Sequence, residues 1–232
     1  MHNDKTVTHI SSFSVGKMLI AVLFFLTKIA IEFKVISALW IPKLPAAILH
    51  NIDLIYYSFF FTLFIFVYRN KLMLWCQDLK SNFNRHKKII IYGLIITVAC
   101  VVIVSIVLSK CCGISDSANE EWLTKTALER PIYIFITTVL VGPAVEECIF
   151  RDIIITAIKR KSTFFYTALA VICTSLIFPF SHLSYNSISA KELLALIPYF
   201  ILGFGLAISY VRSDNLLCPI IIHMLINLIA RH

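Results

Sequence analysis

The chain has 232 residues, 59% of them hydrophobic and only 15% charged, with a mean hydropathy of +0.86. A soluble domain is typically about 45–50% apolar and about 25% charged, so this composition excludes a soluble globular protein and suits one membrane-embedded unit. The net charge of +8, from 21 basic and 13 acidic residues, comes without a basic stripe interleaved with aromatics, so it reads as membrane topology rather than nucleic-acid binding.

A membrane-crossing helix needs about 20 mostly apolar residues. In chain order the candidates are 14–39, 52–68, 89–108, 131–158, 163–182, 192–211 and 215–230. The expected fold is therefore all-α: a polytopic transmembrane helical bundle of about seven spans around a buried polar site. Lys5 and Lys17 precede the first apolar stretch as in a signal sequence, but no small-residue cleavage site follows, so it reads as an uncleaved span. Lys28, Glu32 and Lys34 interrupt that span.

The segment 69–88 carries Arg69, Lys71, Lys80, Arg85, Lys87 and Lys88 against Asp78 alone, which places it in the cytoplasm. The segment 109–130 sets Lys110, Lys125 and Arg130 against Asp116, Glu120, Glu121 and Glu129, which places it outside. Lys159, Arg160 and Lys161 return the chain to the cytoplasm. These assignments agree with one another and put the N-terminus on the cytoplasmic side of a cell membrane. Pro131 suits the first turn of a helix, where its missing N–H costs nothing. Pro179 falls inside the fifth span and predicts a kink or freed backbone groups there.

The fourth span holds Glu146-Glu147-Cys148-Ile149-Phe150-Arg151 between apolar flanks. A charge at bilayer depth costs roughly 2.5–3.5 kcal/mol on insertion scales, so such residues usually serve a site or a pathway. At about 100° per residue, Glu147 and Arg151 stand one turn apart in the favourable acid-first order. Glu146 points about 100° away. One carboxylate is thus neutralised within its helix and the other is left for chemistry, or the cluster merely locks helices together. The fifth span ends Phe178-Pro179-Phe180-Ser181-His182, and the last contains His223 and Asn227 on one helical face. A carboxylate, two imidazoles and an amide are the usual inventory for activating water and stabilising an oxyanion. Counted along straight spans, Glu146 and His223 lie near mid-membrane and His182 near the outer surface, so a kink, a tilt or a shifted boundary must bring His182 inward.

The ordered motifs E-E-x-x-x-R (Glu146, Glu147, Arg151), F-x-x-x-H (Phe178, His182) and H-x-x-x-N (His223, Asn227), each on a different membrane helix, resemble the CPBP family. That family comprises the type II CAAX-processing endopeptidases and the Abi proteins of bacteriocin processing and immunity. The resemblance covers about residues 130–230, including Leu202-Gly203-Phe204-Gly205 and the turn from Arg212 to Pro219. It divides the chain into N-terminal membrane helices at 1–129, about three spans, and a catalytic core at 130–232, about four spans, within one integral membrane unit.

The resemblance implies an intramembrane endopeptidase, metallo- or glutamate-dependent, acting on a peptide or membrane-protein substrate. Glu146 would be the general base, assisted by His182. His223 and Asn227 would stabilise the oxyanion or position water, with Glu147 and Arg151 in support. His182, His223 and Glu146 could also supply a His₂Glu zinc shell with an open position, although no H-E-x-x-H helix occurs. The alternative is a non-catalytic protein of the same fold acting in bacteriocin immunity or as a scaffold. A proton or solute transporter is disfavoured by the lack of an internal repeat. The Ile-, Lys- and Asn-rich composition points to a bacterial source.

Overall fold

The computed structural model describes residues 14–32, 45, 48, 51–114, 116–159, 163–183 and 188–230. Lys5, Lys34, Arg160 and Lys161 lie outside the described residues, as does the end of the first candidate span from 33 to 39. Among the described residues every regular element is helical. In chain order they are α1 (Val15–Glu32), α2 (Ile52–Ser81), α3 (Phe83–Cys112), α4 (Ala118–Glu129), a continuous helix α5 from Pro131 to Ile158, α6 (Phe164–Ile177), α7 (Ala190–Ala195), α8 (Ile197–Ser213) and α9 (Leu217–Ala230).

Five of these segments are long and apolar enough to cross a membrane: Leu54–Ser81, Phe83–Cys112, Pro131–Ile158, Phe164–His182 and Ala190–Ser213. The protein is a multi-pass membrane protein. Among the described residues the expected count of about seven is not reached on those criteria. The helix α1 carries Lys17, Lys28 and Glu32 within its 18 residues, and α9 has only 14 residues.

The basic segment 69–88, read as a loop, is helical. The helix α2 continues through it to Ser81, α3 starts at Phe83, and only Asn82 separates them. Each of the two helices has 30 residues, or about 45 Å at 1.5 Å per residue. That exceeds the roughly 30 Å hydrocarbon core, so their joined ends project beyond it and charge there costs little. Buried Trp75 anchors this projection, and Asn215 ties it down by donating from Nδ2 to the Trp75 carbonyl (2.9 Å) and to Asp78 Oδ2 (2.7 Å). The buried imidazole of His86 meets the same Asp78 carboxylate at 2.9 Å.

The ends of the other elements follow from local chemistry. Gly113, at φ 62°, closes α3 in a left-handed conformation that a glycine adopts without strain. Ser117 caps α4 by accepting from the Glu120 N–H, with Glu120 and Glu121 in the first turn, where acids complement the helix dipole. Pro131 begins α5, as its residue type predicts. Pro179 does more than kink its span. The α-helix stops at Ile177 and a 3₁₀ turn, Phe178–His182, carries the chain on.

The helix α5 is the centre of the bundle: 67% of its most apolar window is buried, against 6% for α3, which therefore faces lipid. Phe24 of α1, Phe60, Phe64 and Tyr68 of α2, and Ile149 and Ile153 of α5 form one buried cluster. Phe150, Phe178, Leu206 and Ile222 form a second, beneath the polar site. The long α3–α8 contact depends on a small residue. A Cβ at Gly205 would overlap the Thr97 side chain, so the backbones approach closely only because glycine stands there.

Candidate active site

The helix α5 is not uniformly α-helical. A single α-helical segment, Gly142–Glu147, lies between two π-helical stretches, Phe135–Val141 and Cys148–Ile155. Such widened turns concentrate at functional sites because they re-aim side chains without ending the helix. Glu146 and Glu147 end the α-helical segment and leave it in different directions.

Glu147 faces inward and is fully buried, as is Arg151. Arg151 Nε lies 2.8 Å from Glu147 Oε2 as an ion-pair contact, and Nη2 donates to Oε1 at 3.4 Å. The guanidinium also reaches Thr174 Oγ1 of α6 at 3.5 Å, and that hydroxyl donates to the Phe150 carbonyl at 2.9 Å. On the other side of the carboxylate, His223 Nδ1 sits 3.0 Å from Glu147 Oε1. The intrahelical pairing read from the phasing is therefore present, and Glu147 additionally holds the imidazole of α9.

Glu146 faces a cavity of about 1350 Å³ that also exposes Lys28, Tyr57, His182, His223 and Asn227. Its Oε2 lies 3.9 Å from His182 Nε2 and 4.0 Å from His223 Nε2. Its Oε1 accepts from the Tyr57 hydroxyl at 3.4 Å. The 3₁₀ turn after α6 presents His182 to this group. The ring stacks on Tyr199 with centroids 4.3 Å apart, and Phe178 packs against both histidine rings. Gly203 lies beneath: a Cβ there would crowd the Phe178 side chain at 3.1 Å. Asn227 lines the same cavity, and its Nδ2 donates to the Thr138 carbonyl in the first π-helical stretch at 2.7 Å. All four expected residues thus line one cavity. The cavity extends to Lys110, Asp116 and Glu120 in the segment after α3, so the site communicates with that end of the bundle.

Hydrogen-bond partners orient both imidazoles. With the Glu147 carboxylate beside it, His223 Nδ1 carries the proton and Nε2 presents a lone pair. Ser181 spends its own hydroxyl hydrogen on the Phe178 carbonyl (2.7 Å), so its oxygen accepts from His182 Nδ1 at 2.9 Å. His182 Nε2 then also presents a lone pair. Two nitrogens and one carboxylate oxygen converge as acceptors. The donor types match a His₂Glu zinc shell, but the spacing does not: bonds of about 2.0–2.2 Å to a tetrahedral ion put donors nearer one another than 3.9 and 4.0 Å. Among the described residues no group of three His, Cys, Asp or Glu is disposed to hold a metal.

Residues 128–229 match the family described as Type II CAAX prenyl endopeptidase Rce1-like. This part of the chain is similar to the type II CAAX prenyl endopeptidases. The match spans all three motifs and ends before residue 230, in agreement with the resemblance read from them. The chain is similar to the membrane-embedded CAAX protease MroQ of Staphylococcus aureus (strain USA300), 35% identical over 130 residues, 54% of this chain and 49% of that protein. The putative membrane peptidase YdiL of Bacillus subtilis (strain 168) is 31% identical over 112 residues, 48% of this chain and 41% of its own. An uncharacterized 24.3 kDa protein of Escherichia coli is 30% identical over 110 residues, 45% of this chain and 48% of its own. The chain spans about half the length of the curated relatives it matches. No solved structure matches it significantly.

The Rce1-like region begins beyond several residues that shape the site. Lys28 of α1 donates to the Tyr57 hydroxyl at 3.3 Å, and Tyr57 belongs to α2. Asp152, fully buried, follows Arg151 directly. Its Oδ2 meets Lys17 Nζ at 2.8 Å and accepts from Tyr68 at 2.5 Å, and its Oδ1 accepts from Tyr210 at 3.4 Å. The sequence reading did not assign Asp152, although a fourth charge in the same apolar stretch was the signal that could have found it.

Proposed function

We propose that the protein is an intramembrane endopeptidase that hydrolyses a peptide bond with water activated at Glu146. The observation that carries this reading is the convergence of Glu146 Oε2 with the Nε2 atoms of His182 and His223 at 3.9 and 4.0 Å in a large cavity. Those gaps are too long for direct hydrogen bonds and are the span that one bridging water fills. The water donates one hydrogen to Glu146 and the other to His223 Nε2, which directs an oxygen lone pair at the substrate carbonyl carbon. Glu146 takes the proton as the carbon–oxygen bond forms, then returns it to the departing amine.

His182 Nε2, 3.9 Å from the same carboxylate oxygen, is placed to assist Glu146 in holding the attacking water. Asn227 ties α9 to α5 through Thr138, which sets His223 relative to Glu146. Glu147 fixes the His223 tautomer, as a carboxylate does behind a catalytic imidazole.

The proposed substrate is a peptide or membrane-associated protein that is matured or degraded at a bacterial cell membrane. The positive-inside rule puts the N-terminus of α1 in the cytoplasm, so the wide end of the cavity faces outward. The deciding experiment replaces Glu146 by Gln, which keeps volume and removes the base. Cleavage falls at least about 10²-fold at normal membrane levels. Full retention of cleavage would refute Glu146 as the base, and a phenotype fully retained with no cleavage by either protein would leave a non-catalytic membrane protein. Metal content and chelator challenge of the purified protein separate a zinc-dependent reaction from a water-only one.

A further inference from the structure

Two of the three buried acids of α5 each have their own cation. Glu147 has Arg151, in the same helix, at 2.8 Å. Asp152 has Lys17, from α1, at 2.8 Å. Among the described residues no Lys or Arg touches Glu146 directly. Its Oε1 is engaged by the Tyr57 hydroxyl at 3.4 Å, and that hydroxyl accepts from Lys28 Nζ at 3.3 Å.

We propose that Tyr57 and Lys28 are positioning residues for the reaction: a relay from α1 through α2 that holds Oε1 of Glu146 and leaves Oε2 turned to the two histidines. The inference rests on Glu146 being the base.

The geometry supports more than casual contact. Lys17 and Lys28 are 11 residues apart on α1, three turns at about 100° per residue, so both project from one face. That face meets α5 at two acids, Asp152 and Glu146, through Lys17 and through Tyr57 respectively. The Tyr57 ring is braced by Tyr56 at 5.2 Å and by Phe24 at 6.3 Å between centroids. Tyr56 in turn ties α2 to α1 by donating to the Phe24 carbonyl at 2.7 Å. A rigid phenol that donates to one carboxylate oxygen fixes the rotation of the carboxyl group, and the ammonium behind it strengthens that hydrogen bond. The relay lies wholly outside residues 128–229, so the N-terminal helices complete a site whose other polar groups lie in the matched region.

The test uses the purified full chain in detergent. An internally quenched peptide library is screened first, and its best-cleaved member then supplies kcat and KM for each variant. Tyr57→Phe and Lys28→Met each lower kcat about tenfold, with KM and thermal unfolding midpoint unchanged. Lys28→Arg, which keeps the charge and a donor, restores most of the rate. The double variant Tyr57→Phe, Lys28→Met is no slower than the slower single, because both act through one carboxylate.

Wild-type kcat in both singles, beside an inactive Glu146→Gln protein, overturns the relay and leaves the protease reading standing. So do losses that multiply in the double variant, or losses that track the unfolding midpoint, since those mark a structural contact. Cleavage that survives Glu146→Gln removes the base and the relay together.

Discussion

Glu147→Ala is the most demanding perturbation of this site. The carboxylate is wholly buried between Arg151 Nε at 2.8 Å and His223 Nδ1 at 3.0 Å. Its removal takes the paired carboxylate from a buried guanidinium and leaves it the long contact to Thr174 at 3.5 Å and the rings of Phe150 and Phe178. Breaking a buried pair from one side costs about 3–5 kcal/mol, which is roughly two to three and a half powers of ten in the folding equilibrium. Stepwise SDS or thermal unfolding of the purified protein reads that loss, and membrane levels fall with it. Replacing both partners with apolar residues, Glu147→Leu with Arg151→Met, removes the orphaned charge and recovers much of the stability. Activity does not return, because His223 has lost the group that fixes its tautomer. An unfolding midpoint unchanged by Glu147→Ala would refute the reasoning, as would a double variant less stable than the single.

Three further outcomes follow from the same geometry. His182→Ala lowers cleavage at least about 10²-fold at nearly normal stability, measured by peptide hydrolysis beside the unfolding midpoint; its ring is held by stacking and by one hydroxyl rather than by an ion pair. Gly205→Leu forces side-chain atoms into Thr97 and destabilises by about 1–3 kcal/mol; Thr97→Ala in the same chain relieves part of that loss, read by the same unfolding assay. Prolonged chelation leaves the cleavage rate unchanged, because the donor spacing of 3.9 and 4.0 Å is wider than a tetrahedral zinc shell; stoichiometric zinc in the purified protein, lost together with activity, would contradict this.

The sequence made some parts of the molecule legible because they depend on local rules. Helix phasing separated Glu147 from Glu146, and the bundle keeps that division even though Arg151 lies in a π-helical stretch. Hydropathy located α3 well because it is apolar all round and faces lipid. It cut α2 short at 68, since charges near Arg69 and Lys71 look like a loop when the helix in fact runs past the membrane edge. The depth of His182 was counted along a straight α-helix, whereas the α-helix stops at Ile177 and a 3₁₀ turn carries the chain to His182. Lys28 and Tyr57 were not legible as site residues at all. Tyr57 meets Glu146 across 89 residues and Lys28 meets Tyr57 across 29, and no local spacing encodes either contact.

The two widened stretches of α5 differ in how much change of length they can absorb. A π turn holds one more residue per hydrogen-bonded ring than an α turn. Loss of one residue within Phe135–Val141 can be taken up by closing to ordinary pitch, with both ends of the span kept in register. The stretch Cys148–Ile155 has no such slack near its start, because the Glu147–Arg151 bridge spans it and fixes the number of intervening residues at three. Insertions and deletions in related chains should therefore collect before Gly142 and be absent between the second glutamate and the arginine. The helix carries an expansion joint on one side of its carboxylates and a weld on the other.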